Sequence, residues 1–273
     1  MSNLSRDRYA LYELAVQGVE WDVEFFARTY KKLRGKDARL FREDFCSTAG
    51  LAVAWAQLHR DNQSIAVDLD PEPLAWARKR RLPYVGDAAK RVKLIRDDVR
   101  HVQKPLVDVA CALNFSWWIF HERKQLLAYL KAARAGIKPG GILFMDIFGG
   151  NTSERPIAER TRKRGGKAPD GVRSPPFTYV WEHEKLNAID RRLLAHIHFE
   201  FKSGRPIRRA FTYDWRMWTI PELRELAAEA GFKELRVYAE GWDEKRGKPN
   251  GSVLPRKQID QQDSWIATCV LLN

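Results

Sequence analysis

Residues 39–70 read RLFREDFCSTAGLAVAWAQLHRDNQSIAVDLD. An extended run, Arg39 to Phe45, passes through a loop of small residues into an Ala-, Leu- and Trp-rich stretch, Gly50 to Arg60, with the spacing of a helix. A second extended run, Gln63 to Asp68, has Ile65, Ala66 and Val67 at its centre and ends on a carboxylate. Strand, helix and strand over so short a stretch form a crossover unit, whose two strands lie parallel.

The alternation continues downstream. Pro71 to Arg80 predicts a helix, started by Asp70 as cap and Pro71 in its first turn. Val92 to Ile95 predicts a short strand, Val107 to Leu113 a buried one, and Glu122 to Gly136 a helix. Lys138 to Gly141 predicts a tight turn before a strand at Ile142 to Ile147. Upstream, Tyr9 to Lys32 has helical spacing, divided at Gly18. Asn151 to Pro176 is rich in Arg, Lys, Gly and Pro and predicts a mobile loop. Phe177 to His183, Arg192 to Phe201 and Ile207 to Tyr213 then predict an antiparallel meander. A helix at Pro221 to Ala230, a strand at Glu234 to Ala239, a polar stretch from Asp243 to Asp263 and a last, edge strand at Ser264 to Leu271 complete the chain.

The expected fold is α/β: a doubly wound, Rossmann-like, mostly parallel seven-stranded sheet with an inserted antiparallel β meander. Its expected divisions are a helical cap over 1–36, a ligand-binding core over 37–150, an inserted loop and substrate region over 151–212, and completion of the core sheet over 213–273.

Composition narrows the function. The chain has 273 residues and a net charge of +13, with its basic residues dispersed and densest at Arg160 to Lys167. This charge suits a solvated surface and admits nucleic acid as an alternative partner. Cys46, Cys111 and Cys269 have no CxxC or Cys/His metal spacing, which predicts reduced thiols, a cytoplasmic setting and no metal centre. No membrane partner is expected, because no apolar stretch is long enough to span a bilayer and Met1 to Tyr9 is polar. The sequence is silent on oligomeric state.

In an open sheet of this kind, ligands lie beyond the carboxyl ends of the strands. The first loop, Glu43 to Gly50, has neither a Walker lysine nor GxGxxG, which disfavours a nucleoside triphosphate and a dinucleotide dehydrogenase. Asp68 ends the second strand, where a carboxylate can accept from both hydroxyls of a ribose; the plainer reading makes Asp68 and Asp70 helix-start residues. Asp98, with Val99 beside it, ends the third strand, where it can accept from an adenine amino group. Asn114 and Phe115 end the fourth and face the reactive end of such a ligand.

Taken together, FREDFCSTAGLA, IAVDLDPEPLAWA, RDDV, IKPGGILFMDI and YDWRMWTIPELRELAAEAGFKELRVYAEGWDE resemble the successive motifs of class I S-adenosylmethionine-dependent methyltransferases, over roughly residues 37–150 and 213–272. The resemblance implies S-adenosylmethionine as cofactor, S-adenosylhomocysteine as product, and binding by Glu43, Phe45, Cys46, Ser47, Ala49, Asp68, Leu69, Asp98, Val99, Asn114 and Phe115. The family's first motif is acidic-x-Gly-x-Gly-x-Gly, and here Phe45, Ser47 and Ala49 replace the glycines. Ser and Ala fit there if φ stays negative. Phe45 puts a ring where backbone meets cofactor, so either the ring turns away and the loop shifts, or binding weakens.

The implied reaction is in-line methyl transfer to an acceptor, most simply a small molecule. A general base is needed only if the acceptor arrives protonated. Candidate substrate contacts are Tyr12 and Gln17, with Tyr9 near them; Trp117, with Trp118 and His121; and Trp181, Tyr213 and Arg216, with Tyr179. Tyr179, Trp181 and His183 share one face of a strand, and His196 and His198 do the same. His183 and His198 are the candidate bases, although each taken singly is more often an ordinary packed residue. A metal held by His183, Glu184, His196 and His198 is not expected, and Trp55, Trp76 and Trp265 are assigned to the core. The alternatives are a methyltransferase of nucleic acid or protein, and a methyltransferase-like module that binds without catalysis.

Overall fold

The computed structural model describes residues 4–243 and 248–273, with side chains described outside 242–251. Two helices come first, α1 (Arg8–Val16) and α2 (Val19–Arg34), parted at Gly18. The alternation follows as β1 (Leu40–Asp44), α3 (Gly50–Leu58), β2 (Gln63–Asp68), α4 (Pro71–Arg80), β3 (Val92–Arg96), β4 (Val107–Ala112), α5 (Arg123–Ala135) and β5 (Ile137–Gly149). Next come β6 (Ile157–Lys163), the short β7 (Gly166–Lys167) and β8 (Arg173–Ser174), then β9 (Phe177–Leu186), β10 (Arg192–Glu200) and β11 (Ile207–Arg216). The chain closes with α6 (Ile220–Glu229), β12 (Glu234–Asp243), β13 (Lys248–Arg256) and β14 (Trp265–Leu272).

Among the described residues, eight strands make the main sheet, in the order β13-β12-β14-β5-β4-β1-β2-β3. β3, β2, β1, β4 and β5 pair in parallel, while β14 runs antiparallel between β5 and β12. The chain leaves β1 toward β2 on one side, and β4 lies on the other. The loops after β1 and β4 therefore diverge and open a crevice between them. All six residues of β4 are buried, as befits a central strand covered on both faces.

Local chemistry sets the helices. Asp70 accepts from Glu72 N–H at 2.9 Å to start α4, and Thr219 and Glu222 form a reciprocal cap on α6. Below the crevice, Arg42 of β1 is buried and held by Asp44 at 2.8 Å and the carbonyl of Val102 at 2.8 Å. Tyr129 of α5 donates to the same Asp44 at 2.9 Å, tying helix to strand. A buried ion pair satisfied in this way orients its neighbours more than it adds net stability.

Several expectations are corrected. The sheet has eight strands rather than seven, because the polar stretch at 243–263 contains β13, paired antiparallel with β12. β14 is an interior strand rather than an edge. Lys138 to Gly141 is a bulge within β5, with Ile137 still paired to Val107, rather than a turn before the strand. The stretch at 151–176 is not one long loop: β6 lies in it and joins β9, β10 and β11 in a four-stranded antiparallel sheet, and β7 pairs with β8. Its basic side chains hid the strand, since they line an exposed face and break the apolar alternation on which strand prediction relies. Among the described residues, no helix is long and apolar enough to cross a membrane.

Candidate functional site

The loop after β1 places three left-handed residues in succession at alternate positions: Phe45, Ser47 and Ala49, with φ of 58°, 47° and 58°. A negative φ, the condition under which Ser and Ala would fit at little cost, is not met there. The loop keeps a conformation suited to glycine and bears the strain with side chains in place. The Phe45 ring turns into the core, with its centre 5.6 Å from Tyr129 and 6.0 Å from Phe120. Burying the ring offsets the left-handed backbone.

Glu43 lies beneath this loop. Its Oε2 accepts the Ala52 N–H at 2.8 Å, so the carboxyl caps the first turn of α3. Burial pushes its pKa up to about 8. At the end of β2, Asp68 Oδ2 accepts the Ser47 N–H at 2.7 Å and Oδ1 accepts that of Asp70 at 2.9 Å. Burial raises the Asp68 carboxyl too. Gly50 opens α3 where a Cβ would lie 2.9 Å from Gln17 Oε1, and this close approach brings the end of α1 onto the groove.

The loop after β4 has the same backbone character. Asn114 and Phe115 take φ of 55° and 56°, and their N–H groups donate to Asp146 Oδ2 and Oδ1 at 2.7 and 2.9 Å. Burial pushes Asp146 up to about 7. Asp146 escaped the sequence reading because the apolar run of β5 conceals it, though its place at the end of a strand was a usable signal.

Two cavities result. A groove of about 610 Å³ is lined by Glu43, Phe45, Cys46, Ser47, Asp68 and Asn114, and by Tyr12 and Gln17. A smaller cavity of about 280 Å³ is lined by Phe115, Phe148, Trp181, His183, Trp215 and Trp265. Tyr12, Asn114, Tyr213 and Trp215 line both, so the two adjoin. Tyr12 and Tyr213 lie side by side, and burial raises both hydroxyls above the usual tyrosine range, keeping them protonated. Size and apolar lining both suit small-molecule sites.

Other sequence candidates lie elsewhere. Ala49 packs against Leu74 and Ala77, Val99 is in the core, and Leu69 is exposed beyond the groove. Asp98 is outside the groove lining and engaged by Arg100 at 2.6 Å, which holds its carboxyl below the usual range. Trp117 is corrected from substrate contact to core: it is fully buried, and its indole donates to the Asp146 carbonyl at 2.8 Å. Arg216 is likewise a scaffold residue, stacked 3.7 Å over Trp218 and bonded to Glu222 and the His121 carbonyl. His198 lies on the face of β10 away from the cavity, with Glu182 at 2.8 Å. His196 is beside it, with Glu184 at 2.8 Å. His183 faces the opposite way, so these histidines do not converge. Trp265, assigned to the core, lines the smaller cavity.

No family model matches the chain, and no curated protein matches it. Solved structures do. An amino pentose methyltransferase from Micromonospora echinaspora, CalS10, is 19% identical with a TM-score of 0.65, the match covering 98% of this chain and 99% of that one. An S-adenosylmethionine-dependent methyltransferase from Clostridium acetobutylicum is 14% identical at 0.66, covering 97% and 96%. The sugar N-methyltransferase KedS8 from Streptoalloteichus is 14% identical at 0.61, covering 98% and 94%. The chain therefore has the Rossmann-like fold of S-adenosylmethionine-dependent methyltransferases along its whole length, antiparallel insert included.

Proposed function

We propose that this chain is an S-adenosylmethionine-dependent methyltransferase acting on a small molecule. One observation carries the reading: a groove walled by Asp68 and the Ser47 backbone opens, at Asn114, Tyr12, Tyr213 and Trp215, into a separate aromatic cavity. A methyl donor and an acceptor need two such adjoining places. The neighbours' names, an amino pentose and a sugar methyltransferase among them, support a small acceptor.

The residues fit the cofactor. The Phe45 ring is turned away, the left-handed loop presents backbone to the groove, and the Asp68 carboxylate, with about four acceptor sites, keeps acceptor capacity for a ribose beside its bonds from the Ser47 and Asp70 N–H groups. Asn114, at the junction, would face the reactive end. When bound, the cofactor supplies an electrophilic methyl on a sulfonium. The protein then has to align the acceptor and exclude water, which the aromatic walls and α1 do. The divisions at 36, 150 and 212, and a reducing, cytoplasmic setting for the three buried free cysteines, belong to this proposal.

The test is calorimetric titration with S-adenosylmethionine and S-adenosylhomocysteine. Micromolar binding lost in Asp68→Ala supports the reading. Folded wild-type protein that binds neither at millimolar concentration removes it and favours a non-catalytic module. The +13 charge leaves nucleic acid as the second reading, against which the smaller cavity has no lysine or arginine among the described residues of its lining. Steep loss of oligonucleotide binding with salt would favour that second reading.

A further inference from the structure

We propose that the methyl acceptor is an uncharged, ring-bearing hydroxyl compound, of the phenol class, whose hydroxyl is held and deprotonated by His183. The inference rests on the methyltransferase reading and concerns what the smaller cavity accepts.

His183 is 5% exposed and stands in the cavity wall between Trp181, 5.3 Å away, and Phe148, 5.8 Å away. Both ring nitrogens are buried and neither has a hydrogen-bond partner, although the backbone of Ser153 lies beside the ring, so a turn of the ring presents a nitrogen to an acceptor. On the sheet its neighbours are Ile157 and Ala195, neither of which can hydrogen-bond through its side chain. A buried imidazole without a side-chain partner is costly unless a ligand completes it. The two other histidines of this sheet show the contrast, since His196 and His198 each hold a glutamate.

The walls decide the rest. Among the described residues no lysine or arginine lines the cavity, so against these walls phosphate or carboxylate on the acceptor would be buried without a counter-charge. Among the described residues, the only carboxylate in the lining is Glu159, which is solvent-exposed and stands across from Trp181, so an ammonium placed against His183 would find only a screened partner. The remaining titratable groups in the lining are Tyr12, Tyr179 and Tyr213, all kept protonated by burial. Desolvation lowers the His183 pKa, so the ring is neutral and able to accept a proton. Phe115, Phe148, Trp181, Trp215 and Trp265 offer faces and edges to a flat ring.

The step balances. The acceptor O–H gives its proton to a ring nitrogen of His183 as its oxygen bonds the methyl carbon. The carbon–sulfur bond breaks with its electron pair left on sulfur, so the sulfonium becomes a neutral thioether. The imidazolium then returns its proton to water.

The test uses the whole chain saturated with S-adenosylhomocysteine, whose own binding is measured first. p-Cresol, benzylamine, phenyl phosphate and glucosamine are titrated in turn, read by calorimetry and by fluorescence of the cavity tryptophans. The expected result is binding of p-cresol alone. In His183→Phe, which preserves ring volume, its affinity falls about tenfold or more, the loss expected when a buried hydroxyl is left unpaired. His183→Gln retains a hydrogen bond and so recovers most of that affinity, while methyl transfer to p-cresol falls steeply and the acidic limb of the pH profile, where an imidazole base would be protonated, disappears from the residual rate. Preference for benzylamine, phenyl phosphate or glucosamine by the wild type overturns the acceptor class without needing any variant. Equal p-cresol affinity in folded His183→Phe overturns the role of the imidazole. Protein that binds S-adenosylhomocysteine but none of the four compounds removes this inference alone. Protein that fails to bind S-adenosylhomocysteine removes the reading beneath it.

Discussion

The backbone N–H of Ser47 donates to Asp68 Oδ2 over 2.7 Å, joining the loop after β1 to the end of β2 and making one wall of the larger groove from two strands. The bond couples two features that a sequence presents as unrelated: a small residue in a left-handed conformation and an acidic residue 21 positions later. The carboxylate holds the loop in the shape in which its backbone meets the groove.

Replacing Asp68 should therefore do two things. Asp68→Ala removes an acceptor for the ribose and frees the Ser47 N–H. Charge-assisted hydrogen bonds are worth about 1.5–3 kcal/mol each, so the affinity for S-adenosylhomocysteine should fall about a hundredfold. Asp68→Asn, which keeps one acceptor oxygen, should lose less. Calorimetry on both variants checks the order.

At Phe45 the loop conformation and the ring oppose each other. Ser47→Gly relieves a φ of 47° without removing a packed side chain, so it should be neutral or stabilising by up to about 1 kcal/mol. Phe45→Gly relieves a similar backbone but empties the space against Tyr129 and Phe120, and should destabilise by about 1–3 kcal/mol. Opposite signs in urea unfolding would establish that packing, rather than backbone preference, keeps Phe45.

Burial raises the carboxyls of Glu43, to about 8, and Asp146, to about 7. A group whose folded pKa lies above its unfolded value binds more protons when folded. Its stabilising contribution is complete below the unfolded value, near 4.5 and 3.8, and is lost as pH rises through the folded one. The melting temperature should thus fall between pH 5 and about 8.5. Glu43→Gln, which can still accept from Ala52, should flatten part of that fall; an unchanged slope would mean that Glu43 is ionised throughout.

Trp117 and Arg216 should affect stability and spare binding. Trp117→Phe loses the indole bond to the Asp146 carbonyl and leaves a void, at about 1–3 kcal/mol. Arg216→Ala removes the stack on Trp218 and the bond to Glu222. In both, ligand affinity of the folded fraction should match wild type, while denaturant midpoints drop.

Much of the fold was legible because its signals are local. The crossover units rest on apolar strand centres such as Ile65 to Val67, and α4 on Asp70 and Pro71, each readable from a few adjacent residues. β6 and β13 were missed because exposed strands at the margin of a sheet need no apolar alternation. Their hydrogen bonds go to partners distant in sequence, which no local pattern records.

Local pattern alone carried the order of strands and helices, the acidic residues at the ends of β1 and β2, and the small-residue loop between β1 and α3. These depend on propensity and spacing over a handful of residues. Which way side chains face was set by packing in three dimensions. It turned the Phe45 ring into the core, set Asp146 beneath Asn114 and Phe115, sent His183 into a cavity and His198 away from it, and drew Trp265 to line that cavity beside Trp181. Those outcomes follow from packing between segments far apart in the chain, where burial and hydrogen-bond satisfaction are shared and no residue can meet them alone.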